Sequence, residues 1–230
     1  RYYKHFADLC HREGVQLHAE VIYGGSVYPP LDILKSNSYI DVPMFEFWTS
    51  QDPASSMIKY HTVQRTDFEM PALGAIAFNK PVLASEAYTG FANYSESPWD
   101  LKLFGDRGYC SGINRMVLHS YVHQPFDKKP GMTLGPFASH FNRHNTWWPQ
   151  VSGWFTYQAR VQEVLQQGQV LSDILFFTGD RFPENVSYNS YYPLPYGYNV
   201  AACNIDLLKS AKVKNGNILL TNGMSYRLLI

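Results

Sequence analysis

Apolar residues recur along the chain in two rhythms. Tyr3, Phe6, Ala7 and Cys10 fall at the i, i+3, i+4, i+7 positions of a helix, and Gly14 stands where a left-handed cap would close it. The next run, VQLHAEVIYGG (15–25), is short and apolar and ends in a glycine pair, so it predicts a buried parallel strand opening into a loop. The pattern returns in IDVPMFEFWTS (40–50), PVLASEAYTG (81–90) and RMVLHSYVHQP (115–125). Between these runs the period lengthens to that of helices. One is predicted over 70–81, closed by Asn79, and one over 97–112, with Pro98 in its first turn. Another is expected over 152–168, with Ser152 as N-cap, Trp154, Tyr157, Val161 and Leu165 on one face, and Gly168 at its end.

Such alternation argues for parallel βα units. The polar residues that interrupt the four apolar runs are Glu20, Glu46, Glu86 and His119, spaced 26, 40 and 33 residues apart. A (β/α)8 barrel of about 250 residues spends roughly 30 on each unit, so these are expected to be consecutive barrel units. A long Gly-, His- and Trp-rich loop fills 128–150. After Gly168 the character changes: SDILFFTGD (172–180) predicts a new buried strand, and residues 204–230 predict a helix, a hairpin and a strand. The expected fold class is therefore α/β, with the C-terminal half of a (β/α)8 barrel over residues 1–168 and the start of a second α/β domain over 169–230. Four units are half of a barrel, so the chain is expected to be a segment of a larger polypeptide.

Composition narrows the partners. Hydrophobic residues make up 45% of the chain and charged ones only 17%, which excludes intrinsic disorder. Nineteen Lys plus Arg balance nineteen Asp plus Glu, leaving no field to attract a nucleic-acid backbone or an anionic membrane. The longest stretch without Asp, Glu, Lys or Arg, 185–205, is too rich in Tyr, Asn, Ser and Pro to span a bilayer. Three scattered cysteines fit neither a disulfide framework nor a zinc site and are expected to be free, mostly buried thiols.

Chemistry enters through the strand ends. In a parallel barrel these converge on one mouth, and three carboxylates in one pocket repel unless one is protonated, a cation is present, or both. Glycoside hydrolysis uses such a set, one carboxylic acid to protonate the leaving oxygen and one carboxylate to attack the sugar or activate water. Tyr23, Phe47, Trp48 and Tyr88 at the strand ends could stack on a sugar ring, with Trp147 and Trp148 as a wall. Each feature has a plainer reading: a Glu after a strand is commonly a helix cap or loop residue, and the Trp pair is equally core packing. The pairs His119/His123 and His140/His144 make no recognised metal motif, and neither HExxH nor a Gly-rich phosphate loop occurs.

The ordered series HAEVIYGG, DVPMFEFW, LASEAYTG, GINRMVLHSYVHQP and HFNRHNTWWPQVSGWFTYQARVQEVLQQG resembles glycoside hydrolase family 106, the α-L-rhamnosidases of plant-polysaccharide-degrading bacteria, and the similarity continues through SDILFFTGDRFPEN and NGMSYRLLI. That resemblance implies a (β/α)8 catalytic domain, hydrolysis of terminal α-L-rhamnose with inversion, and a calcium ion at the sugar hydroxyls. It implies Glu86 as general base and Glu20 as acid, or as a calcium or hydroxyl ligand if the acid lies upstream of Arg1. Glu46 is the implied ligand to calcium or substrate hydroxyls, and Asn114, Arg115 and His119 are the implied substrate contacts, beside the aromatic candidates Trp48, Tyr23 and Trp147 read from the strand ends and the loop. A periplasmic or secreted location in a bacterium is implied as well. Two other readings stand beside it: a retaining, β-galactosidase-like exo-glycosidase of a related barrel family, and a non-catalytic sugar-binding fragment.

Overall fold

Helices and strands alternate through α1 (Tyr2–Arg12), β1 (His18–Glu20), α2 (Ile33–Tyr39), β2 (Val42–Trp48), α3 (Glu69–Ala77), β3 (Ala84–Thr89), α4 (Pro98–Cys110), β4 (Arg115–Leu118) and α5 (Val151–Gln167). Then follow β5 (Ile174–Phe177), β6 (Val200–Cys203), α6 (Ile205–Lys209), β7 (Lys212–Lys214), β8 (Asn217–Leu219), β9 (Ser225–Tyr226) and β10 (Leu228–Leu229). This computed structural model describes residues 1–21, 32–49, 69–136, 138–179 and 197–230. Strands β1 to β4 share one sheet in chain order, β10, β5 and β6 form a second, parallel sheet, and β7 to β9 form an antiparallel one. The result is a mixed α/β fold built on parallel sheets.

By its contacts the chain divides into two units, Arg1–Phe45 with Thr66–Leu83 and Gln169–Ile230, and Glu46–Arg65 with Ala84–Gly168. In the first, the apolar stripe of α1 is used as its periodicity requires: Ala7, Tyr3 and Cys10 pack with Leu17, Val21 and Ile40. Gly14 closes the helix at φ +72°, a conformation glycine adopts without steric cost. β1 pairs in parallel with the start of β2, Glu20 opposite Met44. Helix α2 was not expected; its signal is Asp32, whose Oδ1 accepts from the Lys35 backbone N–H at 2.8 Å as an N-cap. Leu73 of α3 packs against Ile174, Phe176 and Val200 of the β5–β6 sheet. The hairpin β7–β8 turns at Asn215-Gly216, both at positive φ, the pair that a tight hairpin favours.

In the second unit β3 and β4 run parallel, Ala84 opposite Arg115 and Glu86 opposite Val117. The strand expected over 115–125 stops at Leu118, and beyond it the loop supplies the partner. Ser120 donates its backbone N–H to Ser139 O at 3.1 Å and accepts from Phe141 N–H at 3.2 Å, the pairing of a parallel ladder. Residues 138–142, all buried, are thus tied by backbone hydrogen bonds to the chain just after β4, from within a segment that reads as pure loop. Helix α4 starts with a capping box between Ser97 and Asp100, with Pro98 at the permitted first position. Helix α5 begins at Val151 after a 3-10 turn over Trp148–Gln150, so Ser152 lies inside the first turn and is not its cap. The cysteines are free, but only Cys203 is buried and Cys110 is exposed. No helix among the described residues is long and apolar enough to cross a membrane.

Candidate active site

A strand alternates its side chains, so Glu86 and Thr89, three residues apart, should face opposite sides of β3. Tyr88 prevents this by adopting φ +71°. A bulky residue in that region is a true outlier costing about 1–3 kcal/mol, and it persists only where its surroundings hold it. Here they do: the Tyr88 ring lies 5.2 Å from Phe47, 5.4 Å from Trp154 and 6.1 Å from Phe141. Its hydroxyl donates to Gln158 Oε1 at 3.0 Å, and burial pushes the phenol far above its ordinary value, so it stays a neutral donor. The kink brings Thr89 round to Glu86, and Thr89 Oγ1 donates to Glu86 Oε1 at 2.9 Å. The Thr89 carbonyl in turn accepts the Thr49 backbone N–H at 2.7 Å, tying the end of β2 to that of β3.

His119 comes to the same carboxylate. Val117 stands opposite Glu86, so the period of two puts His119 on the face of Glu86. Its Nε2 lies 4.0 Å from Glu86 Oε1, an electrostatic contact too long for a hydrogen bond. On β2, Phe45 and Phe47 are buried while Glu46 and Trp48 face the other way, half-buried. The Trp48 indole Nε1 donates to Glu46 Oε1 at 2.6 Å, and its ring lies 5.3 Å from Phe91. Trp147 donates its indole N–H to the Glu96 carbonyl at 2.8 Å and stands edge-on to Phe141.

Two groups beside these were not singled out from the sequence. Glu96 Oε2 accepts the Ser139 hydroxyl at 2.7 Å, yet burial raises its carboxyl above the ordinary range against the lowering effect of hydrogen bonds from Ser139 and Thr49. His140 is buried against the Tyr94 ring at 4.6 Å, and burial, with His119 nearby, holds its imidazole below the usual value.

All 230 residues match the family model described as alpha-L-rhamnosidase. The chain belongs to glycoside hydrolase family 106. It is 34% identical over 235 residues to a Formosa agariphila protein provisionally named a beta-glucuronidase, covering 100% of this chain and 18% of that protein. A solved rhamnosidase structure from Novosphingobium sp. PP1Y aligns at TM-score 0.80 and 25% identity, over 99% of this chain and 22% of that one. The chain therefore spans about a fifth of the length of the relatives it matches.

Of the residues the family resemblance singles out, the second unit gathers Glu86 and His119 at one carboxylate and pairs Glu46 with Trp48. Asn114 and Arg115 are not with them. They stand at the start of β4, the opposite end of the strand from His119, where the Asn114 carbonyl accepts Gln166 Nε2 at 2.7 Å and Arg115 is exposed. Glu20 ends β1 in the first unit, and Tyr23 lies outside the described residues. Arg143 is engaged by Asp127 and by the carbonyls of Gln124 and Phe126. Among the described residues no three His, Cys, Asp or Glu side chains group as a metal site. Glu46 gives one oxygen to Trp48, so the described donor set does not by itself form a calcium cradle. Thr89 carried no signal in the sequence, because its role depends on the conformation of Tyr88. Glu96 had one that pointed elsewhere: it stands just before the Ser97 N-cap and reads as helix punctuation.

Proposed function

We propose that this chain carries part of the catalytic centre of an inverting glycosidase that removes terminal α-L-rhamnose from plant-type polysaccharides. In this reading residues 1–168 are the later units of a (β/α)8 barrel, 169–230 open a second α/β domain, and both belong to a larger periplasmic or secreted polypeptide. Glu86 is the general base: it takes a proton from water as the water oxygen bonds to the anomeric carbon. The glycosidic C–O bond breaks, its electrons pass to the leaving oxygen, and Glu20 as carboxylic acid protonates that oxygen. Inversion asks that the two carboxyls stand about 6.5–9.5 Å apart to admit the water. Trp48 offers a ring face to the sugar, and His119 is placed to bind a hydroxyl beside Glu86.

The observation that supports this most is the half-buried Glu86 on the parallel strand β3, held by Thr89 from the strand's C-terminal end and faced by His119, in a chain of this family. Glu86→Gln in the full-length protein should lower kcat on an aryl α-L-rhamnoside about 10²–10⁴-fold with KM little changed. An unaltered kcat would remove Glu86 from the reaction. Calcium, with Glu46 as its ligand, belongs to this reading through the family alone, and no step is assigned to it; an unchanged rate in excess chelator would discard it.

A second reading has one observation behind it, the provisional beta-glucuronidase name of the Formosa agariphila relative. Release from an aryl β-glucuronide, with none from the rhamnoside, would favour it.

A further inference from the structure

The hydroxyl of Thr89 is buried at the end of β3 and meets Glu86 Oε1 while Tyr88 stays in its left-handed conformation. Tyr88 is held there by Phe47, Trp154 and the Gln158 side chain. A strand of regular twist would have carried Thr89 to the other face, leaving Glu86 Oε1 with His119 at 4.0 Å, too far to fix it. The outlying backbone therefore delivers one donor to one carboxylate oxygen, at 2.9 Å. Backbone strain of this kind is retained where it arranges a functional group.

From this we infer that Thr89 is a positioning residue for the base: by holding Oε1 of Glu86 it fixes the rotation of the carboxylate and presents Oε2 to the attacking water. The inference rests on the proposed role of Glu86 and adds to it that Tyr88 and Thr89 act through that carboxylate. A carboxylate free to rotate about its last bond spends less time aligned for proton transfer, and a small misplacement of a catalytic group is costly in rate.

The test compares four variants in the full-length protein on an aryl α-L-rhamnoside. Thr89→Val, which keeps the shape and removes the hydroxyl, should lower kcat about 10–100-fold with KM within a few-fold. Thr89→Ser, which keeps the hydroxyl, should restore most of kcat. In Glu86→Gln the further change Thr89→Val should cost nothing more, because the residue acts through the group already lost. If the valine variant fails to fold, Thr89→Ala takes its place. An inactive Glu86→Gln beside a fully active Thr89→Val would overturn the positioning role and leave the base assignment intact. A fully active Glu86→Gln would overturn both. Loss of kcat in Thr89→Ser as deep as in Thr89→Val, or additive losses in the double variant, would show that the hydroxyl is not what matters.

Discussion

Glu96 is a carboxyl that folding holds against its preference. It accepts a hydrogen bond from Ser139, and still burial is the larger influence and raises its proton affinity. In the unfolded chain it would titrate near about 4.3. Between that value and the higher one in the fold, the native state keeps a proton that the unfolded state has lost, so stability from this group is present at low pH and falls as pH rises. Glu96→Gln removes the titration. The melting temperature of the wild type, measured relative to that variant, should decline as pH rises through the carboxylate range. A difference that is constant with pH would mean the carboxyl is not held as described.

At the scale of elements, the same substitution should have opposite signs on two helices. A Cβ added at Gly105 of α4 would stand 2.3 Å from the Tyr88 hydroxyl and 3.3 Å from its ring, with no flexible chain end to give way. Alanine is worth about 1 kcal/mol in helix propensity, but overpacking a buried aromatic costs about 1–3 kcal/mol, and the Tyr88–Gln158 bond is at risk too. Gly105→Ala should therefore destabilise by about 1–2 kcal/mol. At Gly153, exposed in α5 with nothing within 4 Å of an added Cβ, alanine should stabilise by about 0.5–1 kcal/mol. Urea denaturation of the two variants checks both signs.

The elements themselves were legible where the deciding physics is local. Pro98 announces α4 and Asn79 closes α3 at positive φ, whereas Phe47 and Tyr88, which read with Trp48 as sugar-stacking residues, are buried in the core. Of the site, the approach of His119 to Glu86 follows from the parallel pairing of β3 and β4 and the period of two along a strand. What stayed hidden depends on partners far along the chain. The positive φ of Tyr88 is sustained by Gln158 and Trp154, some 70 residues away, and no window around Tyr88 contains them. The lane over 138–142 has only short apolar content and is defined by its bonds to Ser120 and His119. Asn114 and Arg115 matched a motif by neighbourhood in sequence, but a strand separates its two ends by about 3.3 Å per residue, enough to part them from His119.

For the whole molecule, the break in character after Gly168 coincides with the last residue of the second unit, while the residues beyond it join segments from the start of the chain. Leu73 of α3 is covered by Ile174, Phe176 and Val200, all of them after that break. A chain ended at Gly168 should therefore expose this face of α3, raising the fluorescence of a hydrophobic dye and broadening the unfolding transition of the first unit. An unchanged, sharp transition without dye binding would mean that residues 169–230 are not needed to cover α3.

That interleaving also orders events in time. During synthesis the second unit has all of its residues once Gly168 emerges, and it can close while the ribosome is still working. The first unit begins earlier and finishes last, since β5, β6 and β10 are made only afterwards. At about 5–20 residues per second, α3 waits several seconds for the strands that cover it. Within this stretch α3 is thus the helix whose apolar face stays open until residues made after Gly168 arrive.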